Sequence, residues 1–131
     1  MKKALLPPGW VKPRGYANGV AARGTQVFIA GQIGWDAEAK FQSTDFAAQA
    51  KQALANVVAV LAVAGGRPEH LVRLTWYVTD KREYLAALKV IGGAFRELIG
   101  NYDIAMSAVQ VAALMEDEAK VEIEATAVIP D

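Results

Sequence analysis

"AKVEIEATAVIP", residues 119–130, alternates side chains at a period of two, so Val121, Ile123, Ala125 and Ala127 share one face of a strand. Glu122, Glu124, Thr126 and Val128 share the other. The first face belongs against a core. The second carries two acids, so it either meets water or lines a pocket. Working outward, "MSAVQVAAL" (106–114) reads as a preceding strand, joined to the last one by the acidic turn "MEDEA" (115–119). "HLVRLTWYVTD" (70–80) is a β-branched and aromatic strand, and "GVAARGTQVFIAGQIGW" (19–35) suggests a hairpin turning at Arg23-Gly24-Thr25.

Helical spacing governs Asp45 to Ala64. Phe46, Ala50, Leu54, Val57, Val58 and Leu61 form the apolar stripe, Ser43, Thr44 or Asp45 offers a cap, and Gly65 a stop. Asp80 and Glu83 resemble a capping box that opens a second helix running towards Gly100. Within it, Gly92-Gly93 implies either close packing or a bent helix. The Pro/Gly-rich opening through "KPRGYANG" (12–19) reads as loop. The expected order is ββαβαββ, an α+β sheet with two helices on one face. Two helices cover one face only, yet "VFIAGQI" (27–33) and "AVQVAAL" (108–114) are apolar on both. The uncovered face is therefore expected to be buried against another copy of the chain.

The chain has 131 residues, enough for one core, and it is read as a single domain over 1–131. With 14 basic and 14 acidic residues, it offers no strongly basic surface for a phosphate backbone, so no nucleic-acid partner is expected. The absence of cysteine excludes disulfides, thiolate metal sites and cysteine nucleophiles, and a lone histidine leaves little for zinc. The apolar start of "MKKALLPPGW" ends at Pro7-Pro8, too short for a secretion signal. A cytoplasmic location without a membrane partner is the expectation.

Five stretches, "GYANGV", "VFIAGQIGWD", "QAKQALANVVAVLAVAG", "VRLTWYVTD" and "VEIEATAV", in this order and at these spacings, resemble the RidA/YjgF (RutC-like) family across nearly the whole chain. The resemblance implies a chorismate-mutase-like mixed sheet and a homotrimer with a central barrel, helices outside. It also implies small-molecule clefts between subunits and no metal or bound cofactor. Family members with the complete site hydrolyse reactive enamines and imines. The resemblance places Tyr16 at the cleft edge, Gly31 where the backbone approaches a ligand, and Glu122 beside an attacking water. The arginine that grips a substrate carboxylate falls at Met106, and the polar residue of the second helix falls near Leu88. A thioether offers a polarizable surface and no charge, which marks a divergent subgroup with a more apolar cleft.

Trp10, Trp35, Trp76 and Tyr77 are candidates for aromatic walls, against a packing role for each. Arg14, two residues before Tyr16, is a candidate replacement cation. His70 is read as a surface or capping residue, and Ser107 has no histidine partner for nucleophilic work. The expected activity is hydrolysis of an enamine or imine lacking the α-carboxylate, assisted by Glu122. The alternative is a noncatalytic metabolite-binding trimer. RNA cleavage is disfavoured by the neutral charge and the missing histidine pair.

Overall fold

The strand quoted above lies inside the sheet, although it comes last in the chain. A computed structural model describes residues 1–131. The elements run β1 (Lys2–Leu5), β2 (Gly19–Ala22), β3 (Thr25–Ile33), α1 (Phe46–Val63), β4 (Leu71–Val78), α2 (Lys81–Ala86), α3 (Leu88–Leu98), β5 (Ala105–Gln110) and β6 (Val121–Ile129). A 3-10 turn over Pro68–His70 leads into β4. The main sheet has the order β3-β6-β4-β5, with β6 antiparallel to both neighbours and β4 parallel to β5. It is a mixed α+β sheet with three helices.

Alternation along β6 is realised as the sequence predicts: Val121, Ile123, Ala125 and Ala127 are buried, while Glu122, Glu124, Thr126 and Val128 are half-buried. The buried face meets α1, whose Phe46, Ala50, Ala53, Leu54, Val57 and Leu61 lie in one core with Ile29, Leu74, Trp76 and Val78. Burial of each large side chain there contributes about 1.5–3 kcal/mol. By length and composition α1 could cross a bilayer. Its apolar stripe instead packs on the sheet. Asp45 caps it by accepting from Ala48 N at 3.0 Å, and Gly65 ends it at φ 80°.

Several expectations are corrected. Lys2–Leu5, read as part of an opening loop, forms β1 and pairs with β2. The Arg23–Thr25 turn exists, but β2 pairs with β1 and β3 with β6, so no hairpin joins β2 to β3. The second helix is two helices. They meet at Ala87, whose N–H is shared between the carbonyls of Glu83 and Tyr84, a 3-10-like tightening that ends α2. Gly92-Gly93 is not the bend, and its packing is loose: a Cβ at Gly93 would meet nothing within 4 Å, and one at Gly92 only the end of the Arg96 side chain at 3.4 Å. β5 stops at Gln110, and β4 separates it from β6. Within one protomer β3 is covered on one face, and Phe28 on the other is 74% exposed.

One buried polar residue ties the ends of this arrangement together. The Gln49 side chain, 1% exposed, donates to the carbonyls of Ser43 and Glu118, both at 3.0 Å, and accepts from Lys120 N at 2.9 Å. It fixes the first turn of α1 to the segment that launches β6. Gly34 is required beside it, because a Cβ there would come 2.5 Å from Gln49 Cβ. Gln49→Leu keeps the volume and strands three backbone groups. A loss of about 2–3 kcal/mol is expected, read as a lower midpoint in urea denaturation; an unchanged midpoint would show the clasp to be idle.

Candidate active site

Gly31 sits at an irregularity that the sequence does not announce. Between Ile29 and Gln32 the register of β3 slips against β6, inserting one extra residue at Ala30-Gly31. The Glu122 side chain lies across this bulge: a Cβ on Gly31 would fall 2.5 Å from Glu122 Oε2 and 2.6 Å from its Cδ. Glycine at 31 therefore makes room for the acid. Glu122 is half-buried on the open face and makes no hydrogen bond or ion pair within the chain.

Glu124, next on the same face, is engaged. Its Oε1 accepts from the Tyr77 hydroxyl at 2.5 Å. Tyr77 stands opposite Glu122 in the β4–β6 register and reaches diagonally to Glu124. That hydrogen bond is the largest cause holding the Tyr77 phenol above its ordinary pKa. Desolvation and the charges of Glu124 and Glu122 add to it, and Arg73 opposes it. Diagonal contact across a sheet follows from strand pairing, so reading Tyr77 as an aromatic wall missed its hydroxyl.

The other expected site residues gather elsewhere. Ala17 N donates to Ile104 O at 2.9 Å, and Ala17 bridges to Ala105 at the start of β5. This docks the loop bearing Tyr16, 45% exposed, beside the strand bearing Met106. Met106 pairs with the fully buried Leu74 and is half-buried against the helix-side core, on the opposite face from Glu122. One protomer thus holds Gly31 with Glu122, and Tyr16 near Met106, as two separate groups. Arg14 is exposed and unpaired. Leu88 opens α3, 46% exposed. Trp76 is core, Trp35 packs on Phe41 at 5.8 Å, and Trp10 is exposed. His70 caps the 3-10 turn, its Nδ1 accepting from Arg67 N at 3.0 Å, so the capping role holds.

With this geometry in view, the similarities are informative. The family described as endoribonuclease L-PSP matches residues 11–129. The 2-iminobutanoate/2-iminopropanoate deaminase of Salmonella typhimurium is 35% identical over 113 residues, 86% of either chain. Among solved structures, the Rid-family protein YyfB of Yersinia pestis superposes with a TM-score of 0.85 at 32% identity, covering 98% of both chains. TdcF of Escherichia coli, solved with bound serine, gives 0.71 at 32% identity over 97% of this chain and 98% of that one. The chain belongs to the RidA/YjgF family.

Two outcomes follow for the site. Gly31→Ala is expected to fold with the Glu122 carboxylate pushed off the bulge; a crystal structure of the variant with that side chain unmoved would contradict the packing argument. Because the folded state binds the Tyr77 proton more tightly than the unfolded state, its contribution to stability is full below pH about 10 and fades as pH climbs through the raised value. Glu124→Gln removes the anionic acceptor. Ultraviolet titration should then show one tyrosine ionising at lower pH than in the parent.

Proposed function

We propose that this protein hydrolyses a reactive enamine or imine that lacks an α-carboxylate, at clefts formed between copies in a homotrimer. The observation that carries the reading is Glu122, a carboxylate without an internal partner, laid across the β3 bulge on the face the helices leave open. The deaminase name of the Salmonella relative supports the reaction class. Water adds to the C=N carbon while Glu122 takes its proton. Proton transfer to nitrogen and cleavage of the C–N bond then release ammonia and leave a carbonyl. A positioned base of this kind contributes about 10²–10⁴-fold. Backbone N–H groups near Gly31 would face developing charge, and exclusion of water would strengthen every such contact.

Substrate choice is read from Met106. It is half-buried and apolar where carboxylate-binding relatives of the resemblance carry arginine, so a carboxylate there lacks a charged donor worth about 1.5–3 kcal/mol. Tyr16, docked beside the start of β5, would form the cleft edge, and Arg14 is the exposed cation nearest in sequence. Assembly is supported by large apolar side chains left in solvent, among them Phe28 at 74%, Trp10 at 61% and Val109 at 45% exposure. A trimer would let the Glu122 group of one copy meet the Tyr16 and Met106 group of the next.

The second reading, a metabolite-binding trimer without turnover, is favoured by the same Met106, since loss of the gripping cation removes the anchor for the usual substrate. Imines with and without an α-carboxylate, generated enzymatically in the presence of the protein, separate the two. Faster carbonyl release from the neutral imine, reduced at least tenfold by Glu122→Gln, is the expected result. No acceleration with any imine, together with tight metabolite binding, selects the sensor. Met106→Arg should raise turnover of the α-carboxylate imine by about 10- to 100-fold. Sedimentation showing a stable monomer would remove the shared cleft.

A further inference from the structure

The two ends of the proposed cleft differ in charge, and the difference bears on where the imine comes from. The inference rests on the hydrolase reading above. At one end Glu122, half-buried at the bulge, has no partner in the chain. Glu124 follows two residues along the same face of β6 and accepts from Tyr77. Besides that bond and desolvation, the charges of both acids hold the proton on Tyr77, against Arg73 alone. The surroundings of the reacting carbon are therefore acidic on balance. At the other end Met106 packs its uncharged thioether on core side chains, beside the loop bearing Tyr16.

An imine with hydrogen on nitrogen is attacked by water in its protonated form, an iminium with one positive charge. Carboxylates nearby attract that charge. An α-carboxylate on the same molecule would be repelled by both acids and would meet no cation at Met106. The substrate that fits is a monocation with an apolar body, which is the charge and shape of a primary amine that has lost two electrons. Pyridoxal-dependent elimination typically starts from an amino acid and leaves its carboxylate in place. Hydride transfer from a primary amine to a flavin sets free an iminium that has none.

We propose that the imine is supplied by a flavin-dependent enzyme that oxidises a primary amine with an apolar body, and that the carbonyl product is an aldehyde passed to a nicotinamide-dependent dehydrogenase. In the supplying step hydride leaves the amine carbon for the flavin and one N–H proton is lost, giving the iminium. Water then adds to that carbon while Glu122 takes its proton. Glu122 returns the proton to nitrogen, ammonia leaves with the electrons of the C–N bond, and the hydroxyl proton goes to solvent as the aldehyde forms.

A flavin amine oxidase turning over 3-methylbutylamine, with catalase present and the full chain added, tests the assignment. Oxygen uptake reports imine formation, and NADH consumption through excess alcohol dehydrogenase reports aldehyde. The lag between the two signals is expected to shorten about tenfold or more with the parent protein and to return with Glu122→Gln. Leucine oxidised by an amino-acid oxidase gives an imine with the same body plus a carboxylate. Its hydrolysis, read through a keto-acid reductase, should be accelerated about tenfold less or weaker still. Diphenylmethanimine, a stable imine without a carboxylate, serves as a reference that no oxidase has to supply. Acceleration of diphenylmethanimine hydrolysis without effect on the amine-derived imine overturns the proposed supply and leaves the hydrolase reading standing. Equal or greater acceleration of the leucine imine overturns the selection by charge, and with it the source. No acceleration of any of the three removes the hydrolase reading as well.

Discussion

Burying one face of β6 between two partners is the constraint on which the rest of the molecule depends. Val121, Ile123 and Ala127 are fully buried, and a slip of one residue would carry Glu122 and Glu124 into the core in their place. Desolvating two carboxylates without partners costs far more than any competing register could return. The register of β6 is thereby fixed against β3 on one side and β4 on the other. The bulge at Ala30-Gly31 is tolerated within this frame because glycine lets the Glu122 side chain occupy the space a Cβ would take.

The helices are spent on the buried face. α1 fills it, anchored at its first turn by the three hydrogen bonds of Gln49, and α3 packs beside α1. Nothing in the chain covers the opposite face, where Phe28 projects into solvent and the polar side chains of β4 and β6 stand in rows. The unpartnered acid at the bulge arises from this asymmetry. Polar groups survive there because they do not have to be buried for the chain to fold.

Family membership and the local chemistry agree on a small-molecule role and differ on its details. The relative from Salmonella is named for 2-imino acids, whereas the position beside Tyr16 here carries Met106, packed on core side chains. Met106 presents polarizable apolar surface at that end. Glu122 stands without an internal partner at the other. The proposed hydrolysis of an imine without an α-carboxylate draws its selectivity from the first and its base from the second.

Periodicity and residue type defined β3, β4, α1 and β6, the faces of β6 and the stop at Gly65, and narrowed the cap of α1 to Ser43, Thr44 or Asp45, because each depends on residues within a turn or a few strand positions of one another. Resemblance to the family, rather than periodicity, marked Gly31 and Glu122 as worth attention. Pairing was another matter. That β2 joins β1, that β4 separates β5 from β6, that β3 carries a bulge, and that Tyr77 reaches across to Glu124 all involve residues far apart in the chain. The break at Ala87 escaped for a different reason, since alanine carries no breaking signal and the shared N–H is set by how α2 and α3 dock. Local propensity decides which segments become strands or helices; which of them meet is decided by how the whole set can bury its apolar faces at once, and that is settled only in three dimensions.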